Sequence, residues 1–102
     1  MANYAVIFHR LAAKEYQRAH DWYARRSARA AQRFQDEIRR IILQMAQAPD
    51  LGAVYNGPYR WMRLRRYPYV LYYEVVDPTQ VILFAVAHAR RRRGYWLRRT
   101  RP

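Results

Sequence analysis

The residues best suited to chemistry lie together near the end of the chain. The stretch HARRRRGYWLRR, His88 to Arg99, holds one histidine, the run Arg90–Arg93, the aromatic pair Tyr95 and Trp96, and then Arg98 and Arg99. An imidazole titrates near neutrality, and surrounding arginines lower its pKa and keep it neutral, which suits general acid–base work. The other reading of His88 is structural: an imidazole hydrogen-bonded at the edge of a sheet. Arginine makes planar, bidentate contacts with phosphate and carboxylate. The run Arg90–Arg93 therefore suits an anionic partner, and a solvated segment is the plain alternative. Four adjacent arginines do not all point one way, so two or three of them share a face. Tyr95 and Trp96 belong to the types that stack on unpaired bases. They can equally fold back over the helices and anchor the chain end, the reading that suits Trp96 better.

Other chemistry is missing. The chain contains no paired carboxylates, no glycine-rich phosphate loop and no Ser/His/Asp set, and it has only three glycines from which to build a phosphate cradle. His9, His20 and His88 are widely spaced and there is no cysteine, so no metal site is recognisable and no cofactor is expected.

The composition gives the same reactive stretch a context. Twenty basic and seven acidic residues leave a net charge of +13 over 102 residues. The excess is uneven: residues 1–58 carry nine basic and five acidic side chains, whereas residues 59–102 carry eleven arginines against Glu74 and Asp77. Such a field favours polyanions, either nucleic acid or an acidic protein. Absence of cysteine excludes disulfides and thiolate metal sites. The longest apolar run, VILFAVA, has seven residues, against about 20 for a membrane span. With no signal segment at the start, the expected address is the cytoplasm, with no membrane partner.

Several elements must position these groups. YAVIF (Tyr4 to Phe8) reads as an opening strand. Ala12, Tyr16, Ala19 and Tyr23 recur at steps of four, three and four, one face of a helix from about Leu11 to Arg25. Ser27 is the N-cap of a second helix, whose stripe is Ala31, Phe34, Ile38, Ile41, Ile42 and Met45. Pairs Arg33–Glu37 and Asp36–Arg40 at i,i+4 add about 0.2–0.5 kcal/mol each. Pro49, Asp50 and Gly52 close this helix. From Tyr59 the period becomes two. Tyr59, Trp61, Arg63 and Arg65 fall on one face, and Arg60, Met62, Leu64 and Arg66 on the other, so only Arg63 and Arg65 act together. YVLYYEVV follows Pro68, and the turn DPTQ leads to VILFAVAH, apolar on both faces and therefore the central strand, with His88 in phase with Ile82, Phe84 and Val86. The order β-α-α-β-β-β predicts one α+β domain over residues 1–102, a helical hairpin packed on a small, largely antiparallel sheet, with a basic C-terminal tail at 89–102. Trp22 lies off the first helical stripe and is a candidate contact for a partner or a second copy.

These blocks together resemble the ParE/RelE superfamily of bacterial toxins, the toxic halves of type II toxin–antitoxin (plasmid stabilisation) modules. The likeness spans nearly the whole chain. It rests on a helix ending in WY (Trp22, Tyr23), RF (Arg33, Phe34), QAPDLG, RLRRYPYVLYYEV and the closing VILFAVAHARRRRGYWLRR. The resemblance implies a toxin neutralised by a small cognate antitoxin with an extended, acidic segment, as a homodimer or a toxin–antitoxin hetero-oligomer. It also implies one of two targets: DNA gyrase, inhibited without cleavage as by ParE-like members, or mRNA cut in the ribosome as by RelE-like members. The ribonuclease arginine of the third strand falls at Val70, a second falls at Ala89 beside Arg90 and Arg91, and the terminal tyrosine has its counterpart in Tyr95. If the chain were a ribonuclease, His88 and Tyr95 would be its catalytic residues. The expected binding surface for target or antitoxin is Arg63, Arg65, Arg90, Arg91, Tyr95 and Trp22. A basic nucleic-acid-binding module without toxicity is the third possibility. The missing arginine at Val70 tilts the reading towards gyrase and a non-enzymatic toxin.

Overall fold

The computed structural model describes residues 3–100. Strand β1 (Ala5–Phe8) leads into helix α1 (Arg10–Ala24) and helix α2 (Ala28–Gln47), followed by a short 3-10 turn at Pro49–Leu51. Four strands come next: β2 (Ala53–Asn56), β3 (Tyr59–Arg63), β4 (Tyr69–Asp77) and β5 (Gln80–His88). A 3-10 segment, Tyr95–Thr100, ends the described chain. The sheet order is β1-β5-β4-β3-β2, antiparallel throughout except that β1 runs parallel to β5. The α+β hairpin-on-sheet architecture agrees with the expectation, with one strand more. β2 has only four residues, mostly exposed, and so leaves little hydrophobic pattern to read.

Both helices begin where a side chain can take an orphan amide. Ser27 Oγ accepts from Ala30 N at 2.9 Å. For α1 the cap is His9, whose Nδ1 accepts from Leu11 N at 3.1 Å. The apolar stripes meet the sheet as their spacing requires: Ala12 and Ala19 from α1, with Phe34, Ile38, Ile41 and Met45 from α2, are buried against Met62, Leu71, Leu83 and Val86. Burying a side chain the size of Phe34 contributes roughly 1.5–3 kcal/mol. Tyr16 and Tyr23 stack on the Phe34 ring, at 5.9 and 4.9 Å between centroids. The solvent-side pairs of α2 differ from expectation. Glu37 is held by Arg40 at i,i+3 through bonds of 2.9 and 2.8 Å, and Asp36 accepts from Gln32 at 2.9 Å.

Gly52 owes its place to crowding. Its φ is −68°, open to any residue, but a Cβ there would lie 2.0 Å from Tyr73 Oη and 3.0 Å from Trp61 O. Tyr73 is fully buried and its hydroxyl donates to Pro49 O; burial raises its pKa to about 12. Arg60 closes the same loop from β3, donating to Gly52 O at 2.7 Å.

Three departures reshape the strand reading. β5 is flanked on both sides and heavily buried, but β4 holds the middle of the sheet. Between the pairs Tyr73↔Leu83 and Tyr72↔Ala85, Phe84 is an extra residue, a bulge that inverts the facing of everything after it. Ile82 and Phe84 therefore face away from the helices, while Val86 faces them and carries His88 into phase with it. β3 ends at Arg63 and the chain turns through Arg66, which has φ 65°, so Arg65 leaves the strand before alternation reaches it.

The basic C-terminal tail divides in two: residues 89–93 are exposed, and the segment after Gly94 is packed down. Residues 95–100 fold across the second face of the sheet, where Trp96 is fully buried with Phe84, Ala85 and Ala87. The Trp96 ring stacks on Tyr72 at 4.8 Å; the expected anchoring is present, but on the sheet face opposite the helices and not over them, because the bulge turns Phe84, Ala85 and Ala87 to that side. Residues 101 and 102 lie outside the described residues.

Candidate functional site

β1 stops at Phe8, so the outer edge of β5 has no strand partner beyond Leu83, whose carbonyl accepts from His9 N at 2.8 Å. Side chains replace the missing strand. Glu15 on α1 accepts from Val86 N at 3.0 Å, and Arg99 donates to Phe84 O at 2.8 Å. The two are joined by a bidentate pair of 2.9 and 2.8 Å, with side chains only 11% and 12% exposed. Glu15 accepts again from the Tyr95 hydroxyl at 2.7 Å. Burial first, and Glu15 second, push the Tyr95 phenol far above its ordinary value. Arg91 lies over the Tyr95 ring at 3.8 Å and Arg99 at 5.1 Å. Neither Glu15 nor Arg99 was expected to bear on the site. A signal was present, because a carboxylate three residues after Ala12 and beside Tyr16 stands at the margin of the buried stripe.

Two cavities open around this knot. One, of about 630 Å³, lies between α1 and the free edge of β5, with Glu15, Arg18, Trp22 and Val86 among its lining. The second, of about 300 Å³, opens on the other face of the sheet under the arginine turn, with Trp61, Arg63, Val70 and Trp96 in its walls. His88, Arg91 and Tyr95 border both.

Against these cavities the sequence-derived set divides. Arg63, His88, Arg91 and Tyr95 come together at the smaller one, joined by Arg92 and Arg93. Arg90 is exposed and borders neither; its backbone N donates to His88 Nδ1 at 3.0 Å. Trp22 belongs to the larger cavity, 44% exposed, with the Arg26 guanidinium 4.0 Å over its ring. Arg65 borders a shallow cleft against α2 that it shares with Arg63, and its N–H is held by Glu37 at 2.7 Å. The Arg40 bond chiefly, helped by Arg65 N–H, holds the Glu37 carboxyl below its ordinary range. His88 packs edge-on to Tyr69 at 5.2 Å. Val70 and Ala89, where the resemblance places ribonuclease arginines, both line the smaller cavity as apolar side chains. Among the described residues no group of three or more His, Cys, Asp or Glu could hold a metal ion. No helix there is long and apolar enough to cross a membrane.

The fold has a solved counterpart. The chain is similar to a structure described as "Chromosomal ParDE TA system from P. aeruginosa", with a TM-score of 0.69 and 18% identity, over 83% of this chain and 95% of that one. A search of curated proteins returns no match. A family model, "ParE toxin of type II toxin-antitoxin system, parDE", matches residues 6–93, and the chain belongs to that family. It is the toxin component of a two-part system whose other half is a cognate antitoxin.

Proposed function

We propose that the chain arrests DNA replication by binding DNA gyrase, in the cytoplasm, without cutting nucleic acid, and that an antitoxin with an acidic segment holds it inactive. The observation that carries the non-catalytic reading is the state of the groups a ribonuclease would need. Val70 and Ala89 put alkyl groups where cations would face a scissile phosphate. The Tyr95 phenol donates to Glu15 and is held protonated far above neutrality, whereas a general base works best with a pKa near the operating pH. His88 already spends Nδ1 on Arg90 N. What is left around the smaller cavity is a surface for binding, made of Arg63, Arg91 and the Tyr95 ring with Arg90 beside it, while Trp22 offers a second contact in the larger cavity and Arg65 one in the cleft against α2.

The test is pulse-labelling of DNA and protein synthesis just after the chain is induced alone in bacteria. DNA synthesis should stop first, and purified gyrase should then be inhibited directly. If protein synthesis stops first, the gyrase reading fails and His88 and Tyr95 become catalytic suspects. The surface has its own test: Arg90→Glu with Arg91→Glu should abolish toxicity while the circular dichroism spectrum is retained. Full toxicity in that double variant removes the arginine run from the working surface.

A further inference from the structure

The smaller cavity is built unlike the rest of the surface. Trp61 is partly exposed in its wall, and no other aromatic ring among the described residues packs on it. Arg63, Arg92 and Arg93 stand exposed at its margin. No carboxylate lines the cavity, and none of these three arginines is in an ion pair among the described residues. The Trp96 indole, itself fully buried, backs part of the same wall. A flat apolar wall beside an uncompensated cationic rim defines a ligand with a planar ring and a negative charge.

We propose that this cavity binds one nucleotide unit of a single strand, its base against Trp61 and its phosphates on Arg63 and Arg92, and holds it without cleavage. Its volume of about 300 Å³ sits at the small end of ligand pockets, roughly 300–1,000 Å³, room for a base and its sugar. A duplex is excluded because its bases stay stacked and paired, whereas single-strand sites splay bases onto aromatic platforms. A polyglutamate chain would satisfy the arginines but offers no ring to the Trp61 wall. The proposal is independent of whether gyrase is the target, since it is read from binding in solution and not from growth.

The test uses the full chain and fluorescein-labelled hexamers of thymidylate and uridylate, followed by anisotropy. Trp61→Ala should weaken binding about tenfold, and Trp61→Phe should restore most of it. Arg63 and Arg92 make no side-chain hydrogen bond among the described residues, so their replacement by glutamine should keep the fold; each should flatten the log–log salt dependence by about 0.7. Binding of both hexamers, or of one alone, supports the site and says which sugar it accepts. The proposal is overturned if the glutamine variants leave the salt slope unchanged, or if folded Trp61→Ala binds like the parent. It is also overturned if polyglutamate, or a hairpin duplex, displaces the hexamers at equal charge.

Discussion

His88 is the residue on which the catalytic and the binding readings part. With Nδ1 accepting from Arg90 N, its remaining proton sits on Nε2, and the ring is braced edge-on by Tyr69. That geometry fits the structural reading, on which His88→Ala should lower toxicity less than tenfold; a loss of about 100-fold or more would point to acid–base catalysis. The bond could not be foreseen, because it depends on the tight turn in which Arg91 N also returns to His88 O at 2.9 Å. His9 offers a second residue-scale prediction. Burial chiefly, then Arg99 and Arg10, hold its pKa below 6.5, and only the neutral ring can cap α1 through Nδ1. The unfolded chain therefore takes up this proton more readily than the folded one. The stability from this cap is complete above pH 6.5 and is lost as pH falls below it. The melting temperature should drop from pH 7.5 to pH 5 more in the parent than in His9→Asn, whose amide caps without titrating. Equal drops would remove His9 from the account.

Among the elements, the junction of α2 with the sheet depends on how closely the loop at Gly52 approaches Tyr73. Gly52→Ala should destabilise by about 1–3 kcal/mol, the usual cost of forcing a methyl group into a packed site. Tyr73→Phe removes the clashing oxygen, so the pair of substitutions should cost less than the sum of the two singles in urea melts. Strict additivity would mean that the loop moves aside freely. The helices were legible because Ala12, Tyr16, Ala19 and Tyr23, and then Phe34, Ile38, Ile41 and Met45, keep one face, and Ser27 marks a boundary. The sheet was less so. In VILFAVA every position is apolar, and a pattern with no polar alternation carries no phase, which left the bulge at Phe84 and the facing of His88 unreadable. At Gly52 the sequence offered a glycine after a helix and a proline, a helix-stop signal, where the actual constraint comes from a tyrosine twenty-one residues away.

For the whole molecule, the pair Glu15–Arg99 joins the first helix to the last described turn across the free edge of β5. Glu15→Ala leaves the Arg99 guanidinium and Val86 N–H without partners in a largely buried setting. It should cost about 2–4 kcal/mol in urea melts, with the near-ultraviolet signal of Trp96 changing in the same transition. A loss under about 0.5 kcal/mol would mean that the edge is covered in some other way. Charge asymmetry correctly located the basic end of the molecule, and Trp96 was open to the anchoring reading. The partners of Arg99 were not open to any reading, since contacts across eighty-four residues leave no local trace.

The same long-range closure bears on how the protein is made. Ala5 finds its partner only in Gln80, and Glu15 only in Val86, Tyr95 and Arg99. While the chain is being translated, its first strand has nothing to pair with, and non-local pairing of this kind is the slow part of folding. A chain cut before Tyr95 lacks the Tyr95 and Arg99 bonds to Glu15 and the Trp96 part of the smaller cavity's wall. Truncation before Tyr95 should thus remove stability together with the binding surface, so the shortened chain should be lost to proteolysis rather than persist as a weaker toxin.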